Sequence, residues 1–264
     1  MEEYFGIILD INLTTRRIQK IKLSQEDIKL FMGGRGLAMK ILYDRIKPGI
    51  NPFSEENPLI LMAGTFSGLP VPSSSRTCVV TKSPHTSPVK SEYEHASTVT
   101  YSNMGGFFGP EVRFAGYEGI VITGKAHFPV YIKIVDEKVE IVDAGKFWGM
   151  KTDKFDKEFK KEINDNDFQS CYIGPAGEKM VSYACILNTA SKAAGRGGTG
   201  AIMGSKNLKA IAVKGTGMPN VKKPQEFMKL IGDARIFFKD RTQTKWWRDY
   251  GTAGALKPSS DGGS

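Results

Sequence analysis

Two runs of residues decide the fold class: Gly119-Ile120-Val121-Ile122-Thr123, and Val130-Tyr131-Ile132-Lys133-Ile134-Val135-Asp136-Glu137-Lys138-Val139-Glu140-Ile141-Val142. The first is a short apolar, β-branched strand. In the second, Val130–Val135 and Lys138–Val142 alternate around Asp136-Glu137, the period-2 pattern of a hairpin. Three strands in succession, with no helical period between them, do not build a doubly wound parallel sheet. Working outward, residues 5–22 read as another hairpin, turning at Thr14-Thr15. Leu59–Ala63, Thr77–Thr81, Gln169–Ile173 and Ala210–Val213 read as further short strands.

Helices are few. Ser24-Gln25-Glu26-Asp27 reads as a capping box with Asp at N3, opening a short helix to Phe31. Gly33-Gly34-Arg35-Gly36 breaks it. A second helix follows, with Leu37, Ile41, Leu42 and Ile46 at helical spacing and Pro48 at its end. Phe155, Phe159 and Ile163 make Thr152–Ile163 an amphipathic helix. Residues 84–103 are polar and turn-rich and read as an exposed loop. Pro219 and Pro224 bracket a linker, beyond which Gln225–Phe238 starts a new helix. Trp246-Trp247 reads as core of a following domain. The class is therefore α+β, with no repeat of fixed period.

The chain has 264 residues, 40% hydrophobic and 25% charged, a composition that excludes collagen-like, mucin-like and wholly disordered chains. The length fits one large domain, or one domain and the beginning of another. No window approaches the ~18 consecutive apolar residues of a membrane span. Met1-Glu2-Glu3-Tyr4 lacks the basic and apolar regions of a secretory signal. Cys78, Cys171 and Cys185 are odd in number and match no disulfide, zinc or cluster spacing, so they read as small buried hydrophobes in a reducing cytoplasm.

The net charge of +9 is concentrated. Between Lys179 and Gln225 there is no Asp or Glu, while Lys179, Lys192, Arg196, Lys206, Lys209, Lys214, Lys222 and Lys223 give that window +8. Such a window is either a solvated basic face or a site for an anionic ligand. Nucleic acid is disfavoured, since no helix-turn-helix, RNP or zinc-finger pattern occurs and no aromatics interleave with the cations. Glycines lie inside the same window, in Lys192-Ala193-Ala194-Gly195-Arg196-Gly197-Gly198-Thr199-Gly200 leading to Ser205-Lys206. Two other glycine-rich segments are Gly64–Gly68, leading to Ser73–Arg76, and Ser102–Gly109 with Asn103, Gly105 and Gly106.

Glycine lets main-chain N–H groups approach an oxyanion, a helix opening near Gly200 aims its free N–H groups the same way, and Arg76 and Arg196 suit bidentate phosphate contacts. None of these segments spells a P-loop or a dinucleotide fingerprint. On chemistry alone they form a generic phosphate cradle, and tight turns remain the competing reading. A nucleotide- or polyphosphate-binding module without redox activity is the alternative function. His85, His95 and His127 form no triad. Glu92 and Glu94 beside His95 read equally as metal ligands or as an exposed polar loop.

These segments resemble the N-terminal domain of the aldehyde:ferredoxin oxidoreductase family of tungsten-pterin enzymes, to about Gly215. The matching motifs are Gly34–Ala38, Arg76 through Thr81–Pro84, Asn103 through Phe114–Tyr117, Ile173–Glu178, and Ala193–Gly198 through Met203–Ile211. The resemblance implies residues 1–215 as a base of two β-sheets carrying two molybdopterins whose dithiolenes hold one tungsten or molybdenum, with Mg²⁺ bridging the phosphates. Residues 216–264 are then a linker and the truncated start of a helical domain. By motif position, Arg76, Asn103, Gly105, Lys192, Ala193, Gly195 and Arg196 look like the pterin-contacting set, and the carbonyls of Asn103 and Ala193 like the Mg²⁺ ligands.

The implied reaction takes an aldehyde and water to a carboxylic acid, with electrons leaving through a 4Fe-4S cluster to ferredoxin. A cytoplasmic enzyme and a homodimer are implied, with no nucleic-acid or membrane partner. Two departures stand out. The chain stops at Ser264 before any run of cysteines for the cluster, so it reads as a fragment inactive alone, with its catalytic residues elsewhere. The loop between Pro84 and Asn103 is also longer than is usual in the family.

Overall fold

A computed structural model describes residues 6–263 other than Thr86, Val89, Glu94 and Ala190. Phe5 of the first hairpin, the terminal Met1–Tyr4 and the candidate metal ligand Glu94 lie outside the described residues. Residues up to Leu69, together with Ser74–Pro219, form one compact unit. Pro70–Ser73 and the residues from Asn220 onward form a second.

The larger unit is α+β, with two mixed six-stranded sheets. The first sheet comprises β1 (Ile7–Asn12), β2 (Arg17–Lys22), β3 (Leu59–Ala63), β4 (Thr77–Lys82), β5 (Val99–Met104) and β6 (Gly119–Thr123), in spatial order β2-β1-β6-β3-β4-β5. The second comprises β7 (Val130–Val135), β8 (Lys138–Asp143), β9 (Gln169–Tyr172), β10 (Ile186–Asn188), β11 (Lys192–Ala194) and β12 (Leu208–Lys214), in order β11-β10-β9-β12-β7-β8. Most neighbours are antiparallel; β1 runs parallel to β6, and β7 to β12. The β7–β8 hairpin pairs Ile132 with Ile141 and Ile134 with Val139, as the alternation requires.

One apolar core fills the space between the sheets. Leu9, Ile11, Leu61, Val79 and Ile122 come from the first, and Ile132, Ile134, Cys171, Ile211 and Val213 from the second. Two short helices, α3 (Phe108–Phe114) and α6 (Thr199–Ser205), contribute Phe108, Val112, Ile202 and Met203 to it and touch strands of both sheets. The outer faces are covered separately. On the first, α2 (Gly34–Arg45) buries Leu37, Ala38, Ile41 and Leu42 against Ile60, Met62, Cys78 and Val80, and Arg45 ties it to Asp10 of β1 at 2.7 Å. On the second, α4 (Thr152–Ile163) packs Phe155 and Phe159 on Tyr131 and Tyr172. With both faces covered, β3 and β4 are buried at every position, which is why they read as unbroken apolar runs.

Several expectations need correction. The loop expected over 84–103 ends early, because Val99–Met104 forms β5, paired with β4 throughout. As an edge strand it buries only Ser102 and Met104, so its sequence carries little apolar signal. The break expected over Gly33–Gly36 falls at Met32 and Gly33, and Gly34-Arg35-Gly36 already form the first turn of α2; the preceding helix, α1 (Gln25–Phe31), ends at Met32 with φ +62°. Its N-cap Ser24 accepts from the Asp27 N–H as predicted. Cys185 is partly exposed, whereas Cys78 and Cys171 are buried.

The second unit holds α7 (Pro224–Asp240), α8 (Thr242–Tyr250) and α9 (Leu256–Asp261). Trp246 and Trp247 meet edge to face at 4.9 Å, but Trp247 is 53% exposed. Trp246 also lies 6.2 Å from the Tyr250 ring, and the Gly254 backbone packs against its indole. No helix among the described residues is long and apolar enough to cross a membrane.

Candidate functional site

The site grows from the meeting of two edge strands, β5 of the first sheet and β11 of the second. An edge strand leaves alternate N–H and C=O groups outside its ladder. Here two such edges confront each other, tied by local bonds rather than by a ladder. The Ser83 hydroxyl donates to the Gly197 carbonyl at 3.0 Å, the Arg196 N–H to the Ser102 Oγ at 3.1 Å, and the Asn188 Nδ2 to the Gly105 carbonyl at 2.8 Å. Gly197 makes the close approach possible. Its φ is +76°, and a Cβ there would stand 2.2 Å from the Thr100 Oγ1.

A cavity of about 890 Å³ opens along this seam, lined by Ser83, His85, Thr98–Asn103, Tyr183 and Gly195–Gly197. That is the size of a cofactor pocket, roughly 300–1,000 Å³. No carboxylate is among its described lining residues, and Arg196 supplies positive charge. The register Cys78↔Asn103 and Val80↔Tyr101 puts Tyr101 and Asn103 on the α2 face of the sheet. There the Arg35 guanidinium, from the first turn of α2, stacks over the Tyr101 ring at 4.5 Å. Burial pushes the neighbouring Cys78 thiol up to about 11, so it is no thiolate ligand at neutral pH.

Of the seven candidate residues, Asn103, Gly195 and Arg196 line the cavity. Ala193 lies on β11, and the Lys192 stem runs 3.7 Å from where a Gly105 Cβ would stand. Arg76 does not line the cavity. It is exposed at the start of β4, one residue before the Thr77↔Met104 pair, with its carbonyl accepting from the Gly64 N–H at 3.1 Å. The residues present fit a phosphate-bearing cofactor with a hard cation. A Cβ on Gly195 would meet nothing within 4 Å, so the main chain is open to close approach. Edge carbonyls are also suitable oxygen ligands for Mg²⁺. Among the described residues, no three His, Cys, Asp or Glu side chains are grouped to hold a metal ion.

The basic window divides. Lys192 and Arg196 are exposed at the seam, but Lys214 pairs with Asp165 and Lys223 with Glu226. Lys206 and Lys209 are buried outright, at 1% and 0% exposure. The Lys209 ammonium meets the Glu178 carboxylate at 2.5 Å, and Lys206 donates to the carbonyls of Glu55 and Gly124. The eight cations of the window are therefore not one surface: Lys206 and Lys209 are internal fasteners.

Burial pulls the Lys206 ammonium down to about 7. Between that pH and the ordinary lysine range near 10.5 the unfolded chain holds a proton that the native chain lacks, so stability rises with pH across the window and is lost on descending it. Urea titrations at pH 7.5 and 10 are expected to show wild type gaining on the order of 3 kcal/mol relative to Lys206→Met. A difference that stays flat would refute this.

Ser102, Ser83 and Arg35 lie inside the quoted motifs without having been named as site residues, and Asn188 lies outside all of them.

The family described as aldehyde ferredoxin oxidoreductase, N-terminal domain, matches residues 8–215. The chain is 43% identical over 227 residues to the tungsten-containing aldehyde ferredoxin oxidoreductase of Pyrococcus furiosus, covering 86% of this chain and 36% of that protein. It is 35% identical over 268 residues to the aliphatic sulfonate oxidoreductase, WOR-like subunit, of the same organism, covering 96% and 40%. Among solved structures, the active site complex BamBC of benzoyl coenzyme A reductase with 1,5-dienoyl-CoA aligns at a TM-score of 0.84 and 39% identity, covering 90% and 35%. The chain thus spans 36–40% of the length of these curated relatives, which are oxidoreductases. With more than three quarters of its residues inside the family's N-terminal domain, the chain belongs to the aldehyde ferredoxin oxidoreductase family.

Proposed function

We propose that this chain is the cofactor-binding part of an oxidoreductase that converts aldehydes to carboxylic acids, built on a tungsten (or molybdenum) bis-molybdopterin. The carrying observation is the seam: two confronted sheet edges, with no carboxylate among the described lining residues and with Arg196 and Lys192 beside open glycine backbone. In this reading residues 1–215 are the pterin base, and 216–264 a linker and the start of a helical domain. Arg196, Lys192 and, from the neighbouring strand, Arg76 neutralise the pterin phosphates. Asn103, Gly105, Ala193 and Gly195 contribute main-chain contacts, with the carbonyls of Asn103 and Ala193 holding Mg²⁺. When bound, the metal supplies two-electron redox chemistry, and this chain's residues bind and orient the cofactor and shield its anionic tails.

The relatives' names carry different substrates: aldehydes in one, an aliphatic sulfonate in another, a coenzyme A thioester in the solved complex. Aldehyde is favoured because the most identical of these three carries it. Electrons pass in this proposal to ferredoxin through a 4Fe-4S cluster held outside these residues. Three scattered cysteines, two of them buried, offer no cluster site. A cytoplasmic setting and a homodimer complete the proposal.

The test is metal and pterin analysis of the purified chain after expression with tungstate and molybdate, with a benzyl-viologen assay on the same sample. We expect about one tungsten or molybdenum per chain and no aldehyde-dependent dye reduction by the chain alone. Absence of both metals would defeat the cofactor assignment, and clear turnover would defeat the proposed division of labour.

A further inference from the structure

We propose that Asn188 is a positioning residue for anion binding at the seam: its carboxamide seats the Gly105–Gly106 turn against the β10–β11 hairpin and thereby aims the turn's main chain and the Lys192 ammonium at one phosphate. This deepens the reading of the seam as a cofactor cradle and rests on it. Asn188 is fully buried, at the end of β10. Its Nδ2 reaches across to the other sheet and donates to the Gly105 carbonyl at 2.8 Å. The turn sits directly on the carboxamide: Gly106 has φ +92°, and a Cβ there would stand 2.6 Å from the Asn188 Nδ2. Across the hairpin Asn188 pairs with Lys192, so the two side chains emerge on the same face. The Lys192 stem then runs beside the same turn, 3.7 Å from where a Gly105 Cβ would stand. One side chain therefore holds the turn while its cross-strand neighbour carries a cation past it.

The residue type points beyond packing. The Asn188 Oδ1 is buried with no hydrogen-bond partner among the described residues. A buried acceptor left unmet is costly, and an apolar side chain of the same size would fill the space without that cost. The donor function toward Gly105 is what asparagine adds here, and the carboxamide's single oxygen is the acceptor carried along with it.

The experiment uses inorganic pyrophosphate as probe, by calorimetry on the cofactor-free chain. Asn188→Leu, which removes the donor without adding charge, is expected to weaken binding about tenfold. Lys192→Ala should weaken it similarly, and the double variant should lose little more than either single change, because both act through one geometry. Asn188→Asp gives a second readout. At this fully buried position desolvation favours the neutral acid, so at pH 5 the protonated carboxyl donates to the Gly105 carbonyl as the amide does, and binding approaches wild type. Ionised at pH 8, it cannot donate, and binding falls.

Thermal denaturation at both pH values confirms folding. If Asn188→Leu does not fold, the Asp variant decides alone. A folded Asn188→Leu protein that binds like wild type, or an Asp variant whose relative affinity ignores pH, overturns the inference while leaving the cofactor reading intact. Wild-type chain that binds neither pyrophosphate nor metal-pterin overturns the cofactor reading, and this inference with it.

Discussion

Glu178→Ala is expected to cost about 3–5 kcal/mol, the range for breaking a buried ion pair from one side. Glu178 closes α5 (Pro175–Glu178) and is almost wholly buried. One carboxylate oxygen meets the Lys209 ammonium, and the other accepts from the Gly149 N–H at 2.7 Å. Lys209 is the more exacting partner. Its side chain has no exposure and lies 4.8 Å from the Phe155 ring. Burial pulls its proton affinity down and contact with Glu178 pushes it back up. Without the carboxylate a cation remains sealed beside an aromatic cluster, and a peptide N–H loses its acceptor. For a unit of this size the loss corresponds to a midpoint lowered by roughly 6–20 °C. Replacing both partners, as Glu178→Leu with Lys209→Met, removes the stranded charge and should recover most of the stability. Urea or thermal unfolding of the three variants measures it. A single variant that loses less than about 1 kcal/mol would show the pair to be solvent-relieved.

The second large effect concerns the cofactor. Arg196→Ala removes an exposed guanidinium from the cavity wall, yet the Arg196 N–H to Ser102 contact is main chain and survives the change. Fold and function are therefore separable at this position. A charge-assisted phosphate contact is worth about 1.5–3 kcal/mol, so cofactor affinity should fall roughly 10- to 100-fold. Arg196→Lys keeps the charge but not the fork, and should retain an intermediate share. Arg76→Ala tests whether the neighbouring strand reaches the same anions. Tungsten and released pterin per chain, after exhaustive dialysis, give the measurement. Full retention in both alanine variants would remove these residues from the site.

Much of the architecture was legible because its strands and amphipathic helices carry their own periodicity. The β7–β8 alternation and the Phe155–Phe159 spacing appear in the structure where the pattern put them. What escaped was low in apolar signal or too short to have a period. The strand β5 is polar because it is an edge, and β10, β11 and α5 span only three or four residues each. The division of the basic window was illegible for a different reason. Charge counted along a chain does not reveal which heads turn inward: Lys206 caps α6 and Lys209 lies within the central strand β12, and both are buried. At the site, glycines and arginines announced a cradle. Asn188 gave no warning, because its partner lies 83 positions away, in the turn that follows β5.

The two sheets are consecutive in the gene as well as facing in space. Every strand of the first precedes every strand of the second, and only the short link between Thr123 and Val130 joins them. Each half offers one greasy inner surface that only the other half covers. Neither is a foldon that can stand by itself, so the pair melts as one cooperative body, and a protease nick in that link leaves the halves clasped rather than parted.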